Sequence, residues 1–239
     1  MRRLVAAFLL LAACSSTAAA PSAGPLRVLF VGNSLTYAND LPWLLRRLGI
    51  ADGITIETRD ESQANYALED HWNRPASRQA LAQGGWDVVI LQQGPSSLPA
   101  SRANLIAWAR NWADAVRAQG GTPALYMVWP DRSRLAFFDD VSLSYRLAAD
   151  SAAARLYPAG EAWRAAWARD ASLALYGPDD FHPSVMGSYL AALTIYRGLT
   201  GRTPSSLTDL GIQPATDELL QAAAAEAVAG FGRSASPRR

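Results

Sequence analysis

An α/β domain built on a parallel sheet is the fold class that this sequence predicts. Short apolar, β-branched runs alternate with longer helical stretches from Leu26 to Phe231, as they do where helices cover both faces of a parallel sheet. Half of the 239 residues are hydrophobic and 18% are charged, too apolar for a disordered chain and enough for one sizeable core. Val185, Tyr189, Leu193 and Tyr196 recur at helical spacing, so that stretch lays one stripe on a sheet.

In chain order, the run LRVLFV makes Leu26–Val31 the first strand, and the Leu-rich stretch Leu41–Leu48 the first helix. The second strand is expected at Ile54–Thr58, and His71 near the start of a helix. The third strand spans Asp87–Gln92, with a helix over Ala103–Ala118 after it that carries Trp108 and Trp112 four residues apart. The fourth strand is Pro123–Val128, with a helix over Leu143–Ala153. Ala154–Tyr157 is the fifth strand, and Gly160–Arg169, with Trp163 and Trp167, the next helix. Helices over Ser184–Leu199 and Thr216–Ala229 complete a single domain spanning residues 26–231. The paired tryptophans are read as packing positions.

Every one of the 22 basic residues is arginine, against 21 acidic ones, for a net charge of +1. The charges are scattered with no basic stripe, which argues against nucleic-acid binding through phosphate neutralisation. At the N-terminus, Arg2 and Arg3 precede an apolar run from Leu4 to Ala13, too short to span a bilayer and suited to an export signal. Leu11-Ala12-Ala13-Cys14 resembles the bacterial lipobox, and Cys14 is the chain's only cysteine. Residues 1–13 are therefore expected to be a lipoprotein signal peptide, Cys14 the lipidated residue of a membrane anchor, and residues 14–25 a tether. The expected location is the cell envelope, facing the periplasm. A plain secretory signal cut near Ala18–Ala20 is the alternative. Residues 232–239 are expected to be a disordered tail.

In open parallel sheets, ligands bind at the carboxyl ends of the strands. After the first strand stands Gly32-Asn33-Ser34. A serine there is either a nucleophile at the cleft or a helix cap. Its base would be one of two histidines. His182 stands in the Gly/Pro-rich loop Tyr176-Gly177-Pro178-Asp179-Asp180-Phe181-His182-Pro183. An Asp three residues before a His can fold back onto Nδ1, fix the tautomer and leave Nε2 free to take a proton.

Together, Gly32-Asn33-Ser34 and Asp179-x-x-His182-Pro183 resemble the SGNH hydrolases, the GDSL-like esterase and lipase superfamily, in a divergent branch with Gly-Asn-Ser in place of Gly-Asp-Ser. The stretches VGNSLTYANDLPWLL and DDFHPSVMGSYLAALTIY extend the likeness over about Leu26 to Leu199. The resemblance implies a flavodoxin-like three-layer sandwich with strand order 2-1-3-4-5. It also implies Ser34 as nucleophile, His182 as base and Asp179, rather than the neighbouring Asp180, as the orienting acid. The family's oxyanion glycine aligns with Asn65, a residue that tolerates unusual dihedrals better than most. Ser97 replaces the family's oxyanion asparagine. Gln93, with Gln92 close behind, is the amide expected to complete the hole with the N–H groups of Ser34 and Asn65.

The chemistry so implied is acyl transfer through an acyl-enzyme, with neither metal nor cofactor. The expected protein is an exported serine esterase acting on a small-molecule or carbohydrate ester, O-acyl and short-chain or O-acetyl. An acyltransferase with the same triad and a non-catalytic glycan-binding lipoprotein are the rivals. His71 is read as structural or supporting, Asp60 and Glu61 as solvated loop charges, and Trp129 as the tryptophan placed where it could face the cleft.

Overall fold

The computed structural model describes residues 24–231. Five parallel strands form one sheet in the order β2-β1-β3-β4-β5. These are β1 (Leu26–Val31), β2 (Ile56–Asp60), β3 (Val88–Leu91), β4 (Thr122–Tyr126) and β5 (Arg155–Tyr157). The helices are α1 (Ser34–Tyr37), α2 (Leu41–Ala51), α3 (Leu68–Asn73), α4 (Pro75–Ala82), α5 (Pro99–Ala118), α6 (Phe138–Ser151), α7 (Ala159–Arg169), α8 (Val185–Thr200) and α9 (Pro214–Phe231).

The last four residues of β1 and all four of β3 are buried, as expected of central strands covered on both sides. The chain leaves β1 to form β2 on one side, then returns to the other side of β1 for β3. The crevice at this reversal lies between the carboxyl ends of β1 and β3, where doubly wound sheets place their ligands.

Several elements differ from the expectation. β2 begins at Ile56, because the N–H of Ile54 is still bonded to the carbonyl of Gly49 (2.8 Å) in the turn that closes α2. α3 and α4 are separate short helices. Arg74 between them is extended, as a residue before proline tends to be, and Pro75 opens α4. α5 starts at Pro99, four residues before the expected Ala103.

Trp112 and Trp163 are fully buried, and Trp108 and Trp167 partly so. Gly160 lets α7 approach β4 closely, since a Cβ there would lie 3.0 Å from the Met127 side chain and closer still to the Val128 carbonyl. Among the described residues no helix is long and apolar enough to cross a membrane. The signal peptide at 1–13, lipidation at Cys14, most of the tether and the tail at 232–239 lie outside the described residues.

Candidate active site

The turn after β1 is built around a glycine and a buried glutamine. A Cβ on Gly32 would fall 2.7 Å from Gln92 Oε1 and also strike Thr36 Oγ1, so glycine alone lets these groups reach the turn. Asn33 caps α1, its Oδ1 accepting from the N–H of Leu35 (3.1 Å). Gln92, 1% exposed, binds the same turn from β3. Its Oε1 accepts from the N–H of Asn33 (2.8 Å) and from Thr36 Oγ1 (2.7 Å). Its Nε2 donates to Asn33 Oδ1 (3.0 Å) and to the carbonyl of Gln93 (2.7 Å).

His71 closes the turn from below. It is buried, and Nε2 lies 2.7 Å from the carbonyl of Gly32, so that nitrogen carries the proton. Nδ1 then accepts from Ser77 Oγ at 2.8 Å. Burial lowers the pKa of His71 and favours this neutral form. Ser34, partly exposed, opens α1 on top of this support.

The loop after β2 is seated on the turn from both ends. The N–H of Gln63 donates to the carbonyl of Gly32 (3.0 Å), and Asn33 Nδ2 donates to the carbonyl of Tyr66 (3.1 Å). Asn65, between these contacts, is left-handed (φ 63°) and exposed. Its N–H makes no hydrogen bond among the described residues. Asp60 is exposed and accepts from the N–H of Ser62 (3.0 Å). Glu61 corrects the expectation of a solvated charge: its side chain is only 14% exposed and pairs with Arg59 at 2.6 Å.

After β3, Gln93 is buried. Its Oε1 accepts from the N–H of Leu68 (3.1 Å), and its Nε2 donates to Ser96 Oγ (3.0 Å). One of its two amide hydrogens is left over. Gln92 has no such reserve, because both of its amide hydrogens are engaged. Ser97 is buried, and its hydroxyl makes no hydrogen bond among the described residues.

The loop before α8 folds into a short antiparallel turn. The N–H of Gly177 donates to the carbonyl of His182 (2.7 Å), and that of Ser184 to the carbonyl of Leu175 (2.8 Å). Asp179 Oδ1 accepts from the N–H groups of Phe181 (3.1 Å) and His182 (2.9 Å), while His182 Nδ1 donates to Oδ2 at 2.5 Å. The bond from the imidazole, helped by the loop N–H groups, holds Asp179 down at about 2. It is therefore ionised at neutral pH and faces the Nδ1–H tautomer, which leaves the lone pair on Nε2. Asp180 is turned away by its left-handed backbone (φ 57°) and pairs with Arg132 Nε at 2.6 Å.

Asn39 links the two halves. Left-handed at φ 53°, it donates through Nδ2 to the carbonyl of Pro183 (2.9 Å) and to Ser188 Oγ (2.9 Å). The segment five residues past Ser34 is thus bonded to the residue after His182. Neither Ser34 Oγ nor His182 Nε2 makes a hydrogen bond among the described residues, and the His182 side chain is 39% exposed.

Trp129 is completely buried, so it does not face the cleft. It stacks on Trp163 at 3.5 Å and donates from Nε1 to the carbonyl of Phe181 (3.1 Å), bracing the loop that carries Asp179 and His182 from within. Among the described residues no group of three or more His, Cys, Asp or Glu could hold a metal.

The fold and this disposition of strand-end turns define an α/β protein with an SGNH hydrolase-like fold. No family model matches the chain, and no curated protein matches it. Solved structures do. A protein from Slackia heliotrinireducens, assigned provisionally to the SGNH hydrolases, is 28% identical with a TM-score of 0.63, covering 72% of this chain and 98% of its own. A DUF4886 family protein from Bacteroides uniformis is 20% identical with a TM-score of 0.74, covering 89% and 98%. The acetylxylan esterase Axe2 from Geobacillus stearothermophilus, as its S15A mutant, is 15% identical with a TM-score of 0.59, covering 75% and 96%.

Proposed function

We propose that this chain is a serine esterase that hydrolyses O-acyl esters through Ser34, His182 and Asp179. One observation carries the reading. His182 is held by Asp179 in the tautomer that leaves Nε2 open, on a loop that Asn39 ties to the segment bearing Ser34. That the structural neighbours include SGNH hydrolases and an acetylxylan esterase supports the class and favours a short acyl group on a small-molecule or carbohydrate alcohol.

In this mechanism His182 Nε2 takes the proton of Ser34 as Oγ attacks the ester carbonyl. The tetrahedral oxyanion is received by the N–H groups of Ser34 and Asn65 and by the remaining amide hydrogen of Gln93. One such donor is typically worth about 10²–10³ in rate. The imidazolium, stabilised by ionised Asp179, returns the proton to the leaving alkoxide. Water, activated by the same nitrogen, then releases the acid from the acyl-enzyme.

Export and anchoring through lipidated Cys14 belong to the same proposal, with the domain facing the periplasm. Growth with labelled palmitate should mark the wild type and leave Cys14→Ser unlabelled. A labelled variant would remove Cys14 from the proposal.

Hydrolysis of p-nitrophenyl esters from acetate to decanoate tests the chemistry. Acetate should be turned over best, and Ser34→Ala and His182→Ala should each lose at least about 10⁴-fold in kcat. A wild type as inert as both variants on every ester would contradict the esterase reading.

A further inference from the structure

Resting on the esterase reading, we infer that the cavity between Arg132 and the segment after α7 is a subsite for a neutral sugar unit of the substrate's carbohydrate part. The cavity holds about 390 Å³ and is walled by Arg132 and Leu135 on one side and by Trp167, Leu173 and Tyr176 on the other. That volume lies in the range of small-ligand sites.

Arg132 is fixed before any ligand arrives. Its N–H donates to the carbonyl of Asp180 (2.9 Å), its Nε pairs with Asp180 Oδ1 (2.6 Å), and its guanidinium lies 4.8 Å from the centre of the Tyr176 ring. Its two terminal nitrogens make no hydrogen bond among the described residues. A guanidinium ordered in advance loses little freedom on binding, so its unspent N–H groups are effective donors. Because Asp180 already balances its charge, these donors suit the hydroxyl oxygens of an uncharged ligand. Trp167, partly exposed, and the two leucines supply the apolar surface on which the C–H face of a pyranose packs, while the buried Tyr176 ring backs the Arg132 guanidinium. Donors on one wall and an aromatic ring with apolar side chains on the other are what a sugar requires.

The position joins this cavity to the candidate active site. Arg132 holds Asp180, the residue next to Asp179, so a bound sugar lies against the outside of the loop that carries His182. In this proposal an oligosaccharide esterified at one unit reaches from Ser34 to this cavity, whereas a small aryl acetate occupies the candidate active site alone. The cavity therefore acts on glycan esters and leaves the intrinsic chemistry alone.

The test fills the cavity without touching the triad. Ala171 lines it and is exposed, so Ala171→Trp places a ring in the space. Leu135→Ala, at a side chain 42% exposed, removes apolar wall and serves if the first variant folds poorly. Binding of acetylated xylotetraose is measured by calorimetry in the Ser34→Ala background, and kcat/KM for xylotetraose acetate and p-nitrophenyl acetate in the active one. Ala171→Trp should weaken xylotetraose binding and its kcat/KM by at least about tenfold, leave p-nitrophenyl acetate within about twofold, and Leu135→Ala should move both glycan readings the same way. Unchanged glycan binding in both variants, an equal loss on the aryl ester, or tighter binding of an acidic oligogalacturonide than of xylotetraose would each overturn the subsite. A wild type inert on p-nitrophenyl acetate instead overturns the esterase reading, while calorimetry still decides the sugar site.

Discussion

At the residue scale, the turn that carries Ser34 depends on two buried side chains. Gln92 spends its whole amide on Asn33, Thr36 and Gln93. Gln92→Ala would leave the Asn33 N–H without its partner inside the protein, at a cost of about 1–3 kcal/mol. Chemical denaturation should show that loss, and kcat should fall with it. Stability unchanged from wild type would show that water replaces the amide. His71 gives a pH dependence whose sign comes from its lowered pKa. The unfolded chain takes up a proton near the ordinary histidine value of about 6.5, while the folded one resists, so stability rises with pH through that region and falls below it. His71→Gln should flatten the dependence of Tm on pH between about 5 and 7, and an unaltered slope would assign it to another group. The bond between Asp179 and His182 was legible in the sequence, because an Asp three residues before a His can fold back onto Nδ1, while the roles given to Ser34, His182 and Asp179 rest on family resemblance. His71 was legible as structural or supporting, but neither its partner nor that of Gln92 was: they lie 39 and 59 residues from the groups they hold. A buried histidine bonded to a carbonyl looks in sequence like any other histidine. Trp129 misled for the same reason, since a strand-end position does not say whether a ring turns toward the cleft or onto Trp163.

At the scale of elements, the candidate site is two turns clasped by a third. Asn39 joins the segment after Ser34 to the His182 loop and α8, while Trp129 and Arg132 hold that loop from the segment after β4. Asn39→Ala would remove its bonds to the loop and to α8 and leave Asp179–His182 intact. The expected result is a fall of about 10-fold or more in kcat, since small misplacements of reacting groups are costly, with KM for p-nitrophenyl acetate little changed. A variant with wild-type kcat would show that packing alone aligns the loops. The first strand was read to the residue because LRVLFV is bounded by a proline and a glycine. α3 and α4 were missed as a pair: each is shorter than a window over which helical periodicity shows, and Pro75 interrupts the pattern. α6 begins at Phe138, five residues before the expected Leu143, because Asp139 and Asp140 in its first turn look like loop charges until their helix is known.

At the scale of the whole molecule, the strand order decides where chemistry can occur. Reversal at β1 opens the crevice between β1 and β3. The same edge gathers Ser34, the Asn65 loop, Gln93 and, through Asn39, His182. Alternation of strand and helix made the layered architecture legible. The order 2-1-3-4-5 came from family resemblance, because spacing alone does not say which strands pair. The composition of the proposed oxyanion hole stayed least legible, since it turns on backbone N–H groups and on which amide is already engaged. The most direct measurement of the central proposal is covalent: treat the full chain with a fluorophosphonate and locate the adduct by mass spectrometry. Wild type should carry one phosphonate on Ser34, with labelling slowed by at least about 10³-fold in His182→Ala, as loss of the general base requires. An adduct on any other residue, or equal labelling of Ser34 without His182, would contradict a nucleophile activated by this histidine.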